Sequence, residues 1–369
     1  MKPVPERGNS FLKRLDKCLG VPLVILLGFF RRRTSFPRAK KIHRIAFMKT
    51  AAIGDTVLLS ALVRDLKARF PDSYLTFFAG SSNYGMAGLL EGVDHVVKLP
   101  VTKPLKSIQK IRREGVFDVW IDFGQWPRLD AVFSFFAKAK LKIGFKTKGQ
   151  FRHFVFDVSV EHSEALHELD NFGNLLQPIG VAPHSAPNIR VDSFSGSAPY
   201  VVIHMFPGGA GAPLKEWPQE YWTDLIGRVV NAGYRVFLTG SKADRPRALE
   251  ICNAQRNPGM AKAVAGELSL TRTAELVKGA AVVVSVNTGI MHLASALGCK
   301  LVALNGPTSA KRWGPLNKES IPLQSPRACS PCLNLGFEYG CEHNDCMREL
   351  KPEAVVEAIK RLLPGFLCK

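Results

Sequence analysis

Twice along this chain, short apolar runs alternate with segments whose apolar positions recur at helical spacing, and a stretch rich in Pro, Ser and Gly separates the two series. In the first series, residues 42–48, 74–79, 93–98 and 116–123 read as strands, and 56–70 and 129–139 as helices. The separating stretch is 181–199. In the second, 200–205, 234–239, 281–286 and 300–305 read as strands, and 219–232, 244–256, 270–279 and 291–297 as helices. Strands divided by helices pair in parallel and build doubly wound sheets. The expected fold is α/β: a Rossmann-like domain at 41–190 and a second at 191–350, facing a central cleft, with a C-terminal helix in 351–369 and a separate segment at 1–40. Open α/β sheets take ligands at the C-terminal ends of their strands. The loops there are where chemistry is expected.

Charge is unevenly spread. The chain carries 50 Lys and Arg against 31 Asp and Glu. Residues 1–44 hold twelve bases against two acids, and 103–152 twelve against four, so the remainder is close to neutral. Residues 18–30 (CLGVPLVILLGFF) form a thirteen-residue apolar run with Lys13, Arg14 and Lys17 before it and Arg31, Arg32 and Arg33 after it. At ~1.5 Å per residue a helix of that length falls short of a ~30 Å hydrocarbon core. Bases on both flanks keep both ends on the cytoplasmic side, and no small-residue cleavage site follows. The expectation is a segment lying on or dipping into the inner leaflet of the inner membrane, on its cytoplasmic face, drawn to anionic lipid. A core helix of the first domain is the alternative. Neither patch interleaves aromatics as a nucleic-acid platform does, and no docking motif is present.

Four loops fall at strand ends. Residues 49–55 (KTAAIGD) end with Asp55 at a helix start, where an Asp either caps the helix or serves as a general base, tuned by Lys49. Residues 206–218 hold Gly208, Gly209 and Gly211, whose amides can approach an anion, with Lys215 adding a point charge. Residues 286–292 (VNTGIMH) form a strand-to-helix turn with amides free for an anion; His292 there is packed in the helix or faces the ligand. Residues 305–315 enclose a cation between glycines and prolines. Together they describe a nucleotide diphosphate site in the second domain.

These loops carry a resemblance. The stretches KTAAIGDTVLLSALVRDLKARFPD, LKEWPQEYWTDLI, VFLTG, VNTGIMHLASALG and LNGPTSAKRWGP, in that order, are similar to the heptosyltransferases of lipopolysaccharide assembly, glycosyltransferase family 9, of GT-B fold. The resemblance runs from about residue 44 to 363. It implies inverting transfer of a sugar, typically heptose from ADP-heptose, to a lipid-linked saccharide. Asp55 then matches the base, and Lys215, with Gly208 and Gly209, lies at the donor phosphates. Thr288 and Gly289 fall beneath the pyrophosphate, with Asn287 and His292 beside them; Asp244 falls near the donor ribose, where the family usually has Glu. Asn287 stands where the family usually has Asp. No cofactor is required, since lysine and helix amides stabilise the leaving group.

Lys49, Arg112, Arg113 and Arg128 are expected on the acceptor side, facing a phosphorylated lipid saccharide. Cys329, Cys332, Cys341 and Cys346 form one cluster whose spacing can close a tetrahedral structural zinc site; a packed loop of reduced thiols is the alternative. The competing functions are a nucleotide-sugar epimerase on the same architecture, or a catalytically impaired membrane- or glycan-binding homologue.

Overall fold

The computed structural model describes residues 10–31, 42–194, 199–209, 211–333, 335 and 341–366; Arg32 and Arg33 of the basic flank lie outside them. The chain divides into two compact units, Met1–Pro187 and Asn188–Lys369.

The first unit holds a sheet of β1 (Arg44–Lys49), β2 (Tyr74–Ala79), β3 (His95–Lys98), β4 (Val116–Asp122), β5 (Lys138–Lys146) and β6 (Val158–Glu161), in the order β3-β2-β1-β4-β5-β6 and parallel throughout. The second holds β7 (Tyr200–His204), β8 (Arg235–Leu238), β9 (Ala261–Ala263), β10 (Val282–Val286), β11 (Leu301–Asn305) and β12 (Ser320–Gln324), in the order β12-β11-β10-β7-β8-β9, also parallel. Each sheet therefore reverses its winding once, between β1 and β4 and between β7 and β10. The loops leaving those strand pairs diverge and leave room for a ligand.

Central strands are buried on both faces, which explains their continuous apolar sequence. Phe47 of β1 packs edge-on against Phe77 and Phe123. In the second unit Trp217 and Trp222 meet at 4.7 Å, and Trp217 Nε1 donates to Leu350 O. Val355 and Ile359 of the C-terminal helix Pro352–Leu362 belong to that same core.

The N-terminal segment forms helices Ser10–Cys18 and Gly20–Phe29, and Leu19 between them keeps right-handed helical angles. One stripe of this rod faces the first unit. Asp16, Gly20, Val24 and Gly28 recur every fourth residue; Val24 is buried with Ala131, Val132, Val155 and Phe156. A Cβ on Gly20 would stand 2.7 Å from Arg128 Cβ, and one on Gly28 2.8 Å from Phe154 Cβ, so only glycine permits this approach. The opposite stripe, Phe11, Leu15, Leu19, Leu23, Leu26, Phe29 and Phe30, is exposed. The core-helix alternative thus holds for one face of this segment, and the other face is open and apolar. Among the described residues no helix is long and apolar enough to cross a membrane.

Candidate active site

In the first unit the winding reversal puts the loop after β1 beside the loop after β4. The helix Ile53–Arg69 starts with Ala52 as its N-cap and no side-chain cap, so Asp55 sits within the first turn and does not cap it. Its carboxylate points to two other groups. Lys49 Nζ lies 2.7 Å from Asp55 Oδ2, and Gln125 Nε2 donates to the same oxygen at 3.2 Å. Lys49 is 2% exposed and also donates to Gln125 Oε1 at 2.5 Å and to Phe123 O at 3.1 Å. Asp55 keeps 17% of its side chain open. A carboxylate held by one oxygen at the open end of a sheet has the form a general base requires.

Both loops rest on buried polar groups. Beneath the loop after β4, Arg152 Nη2 meets Asp122 Oδ1 at 2.7 Å with neither side chain exposed. Arg152 also donates to Pro127 O and Gly124 O, gripping the segment that carries Gln125. Beneath the loop after β1, Thr50 Oγ1 donates to Asp130, whose carboxyl is pushed up to about 7 by burial and by the neighbouring Asp122. Asn83 Nδ2 donates to Lys49 O and to Thr56 Oγ1. None of Gln125, Thr50, Asp130, Asp122 or Arg152 was singled out from sequence as part of this site, although the topology rule points to the loop after β4 as directly as to that after β1.

In the second unit the reversal flanks β7 and β10. Gly209 (φ 92°) and Gly211 (φ 68°) take left-handed angles in the loop after β7, and Lys215 Nζ donates to Gly208 O at 3.1 Å, folding the loop back on itself. Thr288 is the N-cap of helix Gly289–Ala296, and its side chain makes no capping bond to the helix amides. His204, last in β7, pairs its Nδ1 with Thr239 Oγ1 at 2.9 Å; burial lowers its pKa to about 4 against the pull of Asp244, so the ring is neutral. Its place just before the glycine loop was the signal that sequence reading passed over. Asp244 uses Oδ2 in a capping box with Ser241. His292 is buried within its helix.

Residues 106–342 match the family model of glycosyltransferase family 9 (heptosyltransferase), which is more than half of the chain. This chain belongs to that family. It is 26% identical over 339 residues to lipopolysaccharide heptosyltransferase 2 of Salmonella typhimurium, covering 84% of this chain and 96% of that protein. To lipopolysaccharide heptosyltransferase 1 of Pseudomonas aeruginosa it is 32% identical over 199 residues, 50% of this chain and 54% of that one. The solved Escherichia coli ADP-heptose heptosyltransferase II superposes with a TM-score of 0.71 at 22% identity, covering 87% of this chain and 98% of that one. The GT-B type fold, with two doubly wound halves, is the one found.

Of the four expected acceptor residues, Lys49 and Arg128 lie at the same sheet end as Asp55 but are engaged in ion pairs, and Arg112 and Arg113 lie at the opposite end. Lys49 is buried against Asp55 and is spent on holding it. Arg128 is paired with Asp16 at 3.2 Å, 6% exposed, and donates to Gly149 O. Arg112 and Arg113 end the helix Pro104–Arg113, which leads into the start of β4, so they lie at the N-terminal edge of the sheet, away from Asp55. Other bases of the same patch are also engaged: Lys140 with Asp118 and Lys146 with Glu161. Of the two readings of the four cysteines, zinc site or packed thiols, the described residues show no metal cluster: no three His, Cys, Asp or Glu side chains among them are grouped to hold a metal ion. Cys346 is buried over Gly306, and burial with the nearby Cys332, Cys341 and Cys329 pushes its thiol up to about 11; Cys341 Sγ instead donates to His343 O.

Proposed function

We propose that this glycosyltransferase moves a heptose from ADP-heptose to a hydroxyl of a lipid-linked lipopolysaccharide core, with inversion, at the cytoplasmic surface of the inner membrane. The observation that carries this reading is the Asp55 carboxylate, partly open and gripped through one oxygen by Lys49 and Gln125. Asp55 takes the proton of the acceptor hydroxyl as that oxygen attacks the anomeric carbon. The bond from that carbon to the diphosphate breaks, ADP leaves, and a single displacement inverts the centre. Lys215 and the amides at Thr288 and Gly289 stabilise the charge growing on the diphosphate, the largest kind of electrostatic contribution in such reactions. The solved Escherichia coli ADP-heptose heptosyltransferase II and the heptosyltransferase TibC in complex with ADP-D-β-D-heptose support the donor. The apolar stripe from Phe11 to Phe30, with Lys13, Arg14, Lys17 and Arg31 on the same segment, supports residence on an anionic bilayer.

The test is transfer by the purified full chain from a panel of nucleotide sugars to heptose-deficient lipopolysaccharide, with the product anomer read by NMR. ADP-heptose should be the preferred donor. Asp55→Asn should lower kcat at least ~10²-fold with donor KM within a few-fold, in protein shown to be folded. That check matters, because the substitution leaves the Lys49 ammonium buried without its counter-charge, which costs stability. A folded Asp55→Asn enzyme at full rate overturns the assignment.

A further inference from the structure

Behind Asp55 stands a second carboxylate. Glu168 opens the helix Glu168–Asn174 and has no exposed side-chain surface. Gln125 Nε2 donates to Glu168 Oε1 at 3.0 Å, and the same nitrogen donates to Asp55 Oδ2 at 3.2 Å. His162, just past β6 and 1% exposed, places Nε2 2.8 Å from that same Glu168 oxygen, while its buried Nδ1 has no partner. The ring's hydrogen therefore sits on Nε2, pointing at the carboxylate. Asn171 Nδ2 approaches Glu168 Oε2 at 3.4 Å. One turn on from Glu168, Phe172 lies under Lys49, its ring centroid 5.3 Å from Nζ.

The two hydrogens of the Gln125 amide thus go to two carboxylates, and its oxygen takes the Lys49 ammonium. Only one orientation of the amide satisfies all three. Turned over, it would set its oxygen against two anions and its NH2 against a cation. A carboxylate buried this deeply is expensive unless fully hydrogen-bonded, and packing alone would be met by an apolar side chain of similar size. We infer that Glu168, backed by His162, is a positioning residue for Asp55 that acts through Gln125. It locks the Gln125 amide so that Gln125 and Lys49 both grip Oδ2. Oδ1, which has no hydrogen-bond partner among the described residues, is then left for the acceptor hydroxyl. This inference rests on Asp55 being the base.

A double-substitution cycle on the full chain tests it, with kcat, both KM values and thermal unfolding measured for each variant. Glu168→Ala should lower kcat at least tenfold with donor KM within twofold. In the Gln125→Ala background the same substitution should lower kcat less than threefold, because the part through which it acts is gone. Glu168→Gln, which keeps an acceptor oxygen for Gln125, should restore kcat to within threefold of the parent. If Glu168→Ala does not fold, the cycle is run with Glu168→Met, which fills the volume. An equal loss of kcat in both backgrounds makes Glu168 a structural residue and overturns the inference. Should Asp55→Asn leave the rate intact, the base reading falls and this one with it; if Asp55→Asn is inactive while the Glu168 losses are equal, only the positioning role is lost.

Discussion

Asp16 and Arg128, 112 positions apart in sequence, form an ion pair of 3.2 Å in which the side chains are only 13% and 6% exposed. Asp16 also accepts from the backbone amides of Arg128 and Leu129, the first two residues of helix Arg128–Phe136. One carboxylate therefore neutralises a buried guanidinium and serves a helix start, fastening the N-terminal rod to the chain just beyond Gln125. Asp16→Ala should destabilise the protein by about 3–5 kcal/mol, the range for stranding a buried charge. Asp16→Asn, which keeps an oxygen for one of the two amides, should be milder. Urea unfolding of the three proteins checks the order; equal midpoints would mean that the pair contributes nothing.

The outward stripe of that rod should bind lipid without contributing to folding. Replacing Leu19, Leu26 and Phe29 by serine removes side chains that are 62%, 54% and 82% exposed. Each such surface change should alter stability by less than ~0.5 kcal/mol. Flotation with vesicles rich in phosphatidylglycerol should recover the parent at low salt and lose it progressively as salt screens the bases. The triple variant should stay at the bottom of the gradient, and co-flotation of that variant would place the contact elsewhere.

Asn287 has a structural reason for being an amide. Its Nδ2 donates to Asn305 Oδ1 at 2.8 Å and to the carbonyl of Trp313 at 3.1 Å. Asn305 is itself oriented by donating to Ala303 O and Leu323 O, so its oxygen must receive. An ionised aspartate would set negative charge against two acceptors. Asn287→Asp should destabilise by ~1–3 kcal/mol, the usual effect of leaving buried acceptors unmet, with the loss shrinking as the pH falls toward protonation of the new carboxyl. Parallel unfolding curves across pH would count against this account.

Asp130 should give the first unit a characteristic pH response. Its carboxyl, normally near 3.8, is pushed up to about 7 by burial and Asp122. The folded chain then holds a proton between these values that the unfolded chain has released. Stability from this group therefore falls as pH rises from about 4 to about 7 and is level above. Asp130→Asn carries no such proton and keeps an oxygen for Thr50. The difference in Tm, variant minus parent, should rise from pH 5 to about pH 7 and level beyond it. A difference that is flat over this range would show that Asp130 is ionised throughout.

Central strands were legible because burial on both faces leaves unbroken apolar sequence, as in residues 116–122. The edges were not. β5 alternates lysine with apolar residues in KAKLKIGFK, a period-two pattern that its charge disguised as a basic patch. β12 carries Pro322, tolerated at an edge where no further partner needs the amide. Asp55 and Lys215 stood out because each lies in a loop whose composition is unusual. Gln125, Glu168 and His162 did not, because their meaning is a set of hydrogen bonds that exists only once β4 and β6 have been laid into the sheet with β1. Arg128 looked available for the same reason: its counter-ion is in the N-terminal segment.

Both sheets share one strand order when the second is read from its β9 edge, so the loop after β1 and the loop after β7 occupy equivalent stations. One station carries an acid, the other glycines and a lysine. The same scaffold thus presents a closed ion pair, Lys49 with Asp55, at one station and left-handed glycines beside Lys215 at the other. Variation can therefore change one station without disturbing the other, since neither set of substitutions passes through the other's sheet.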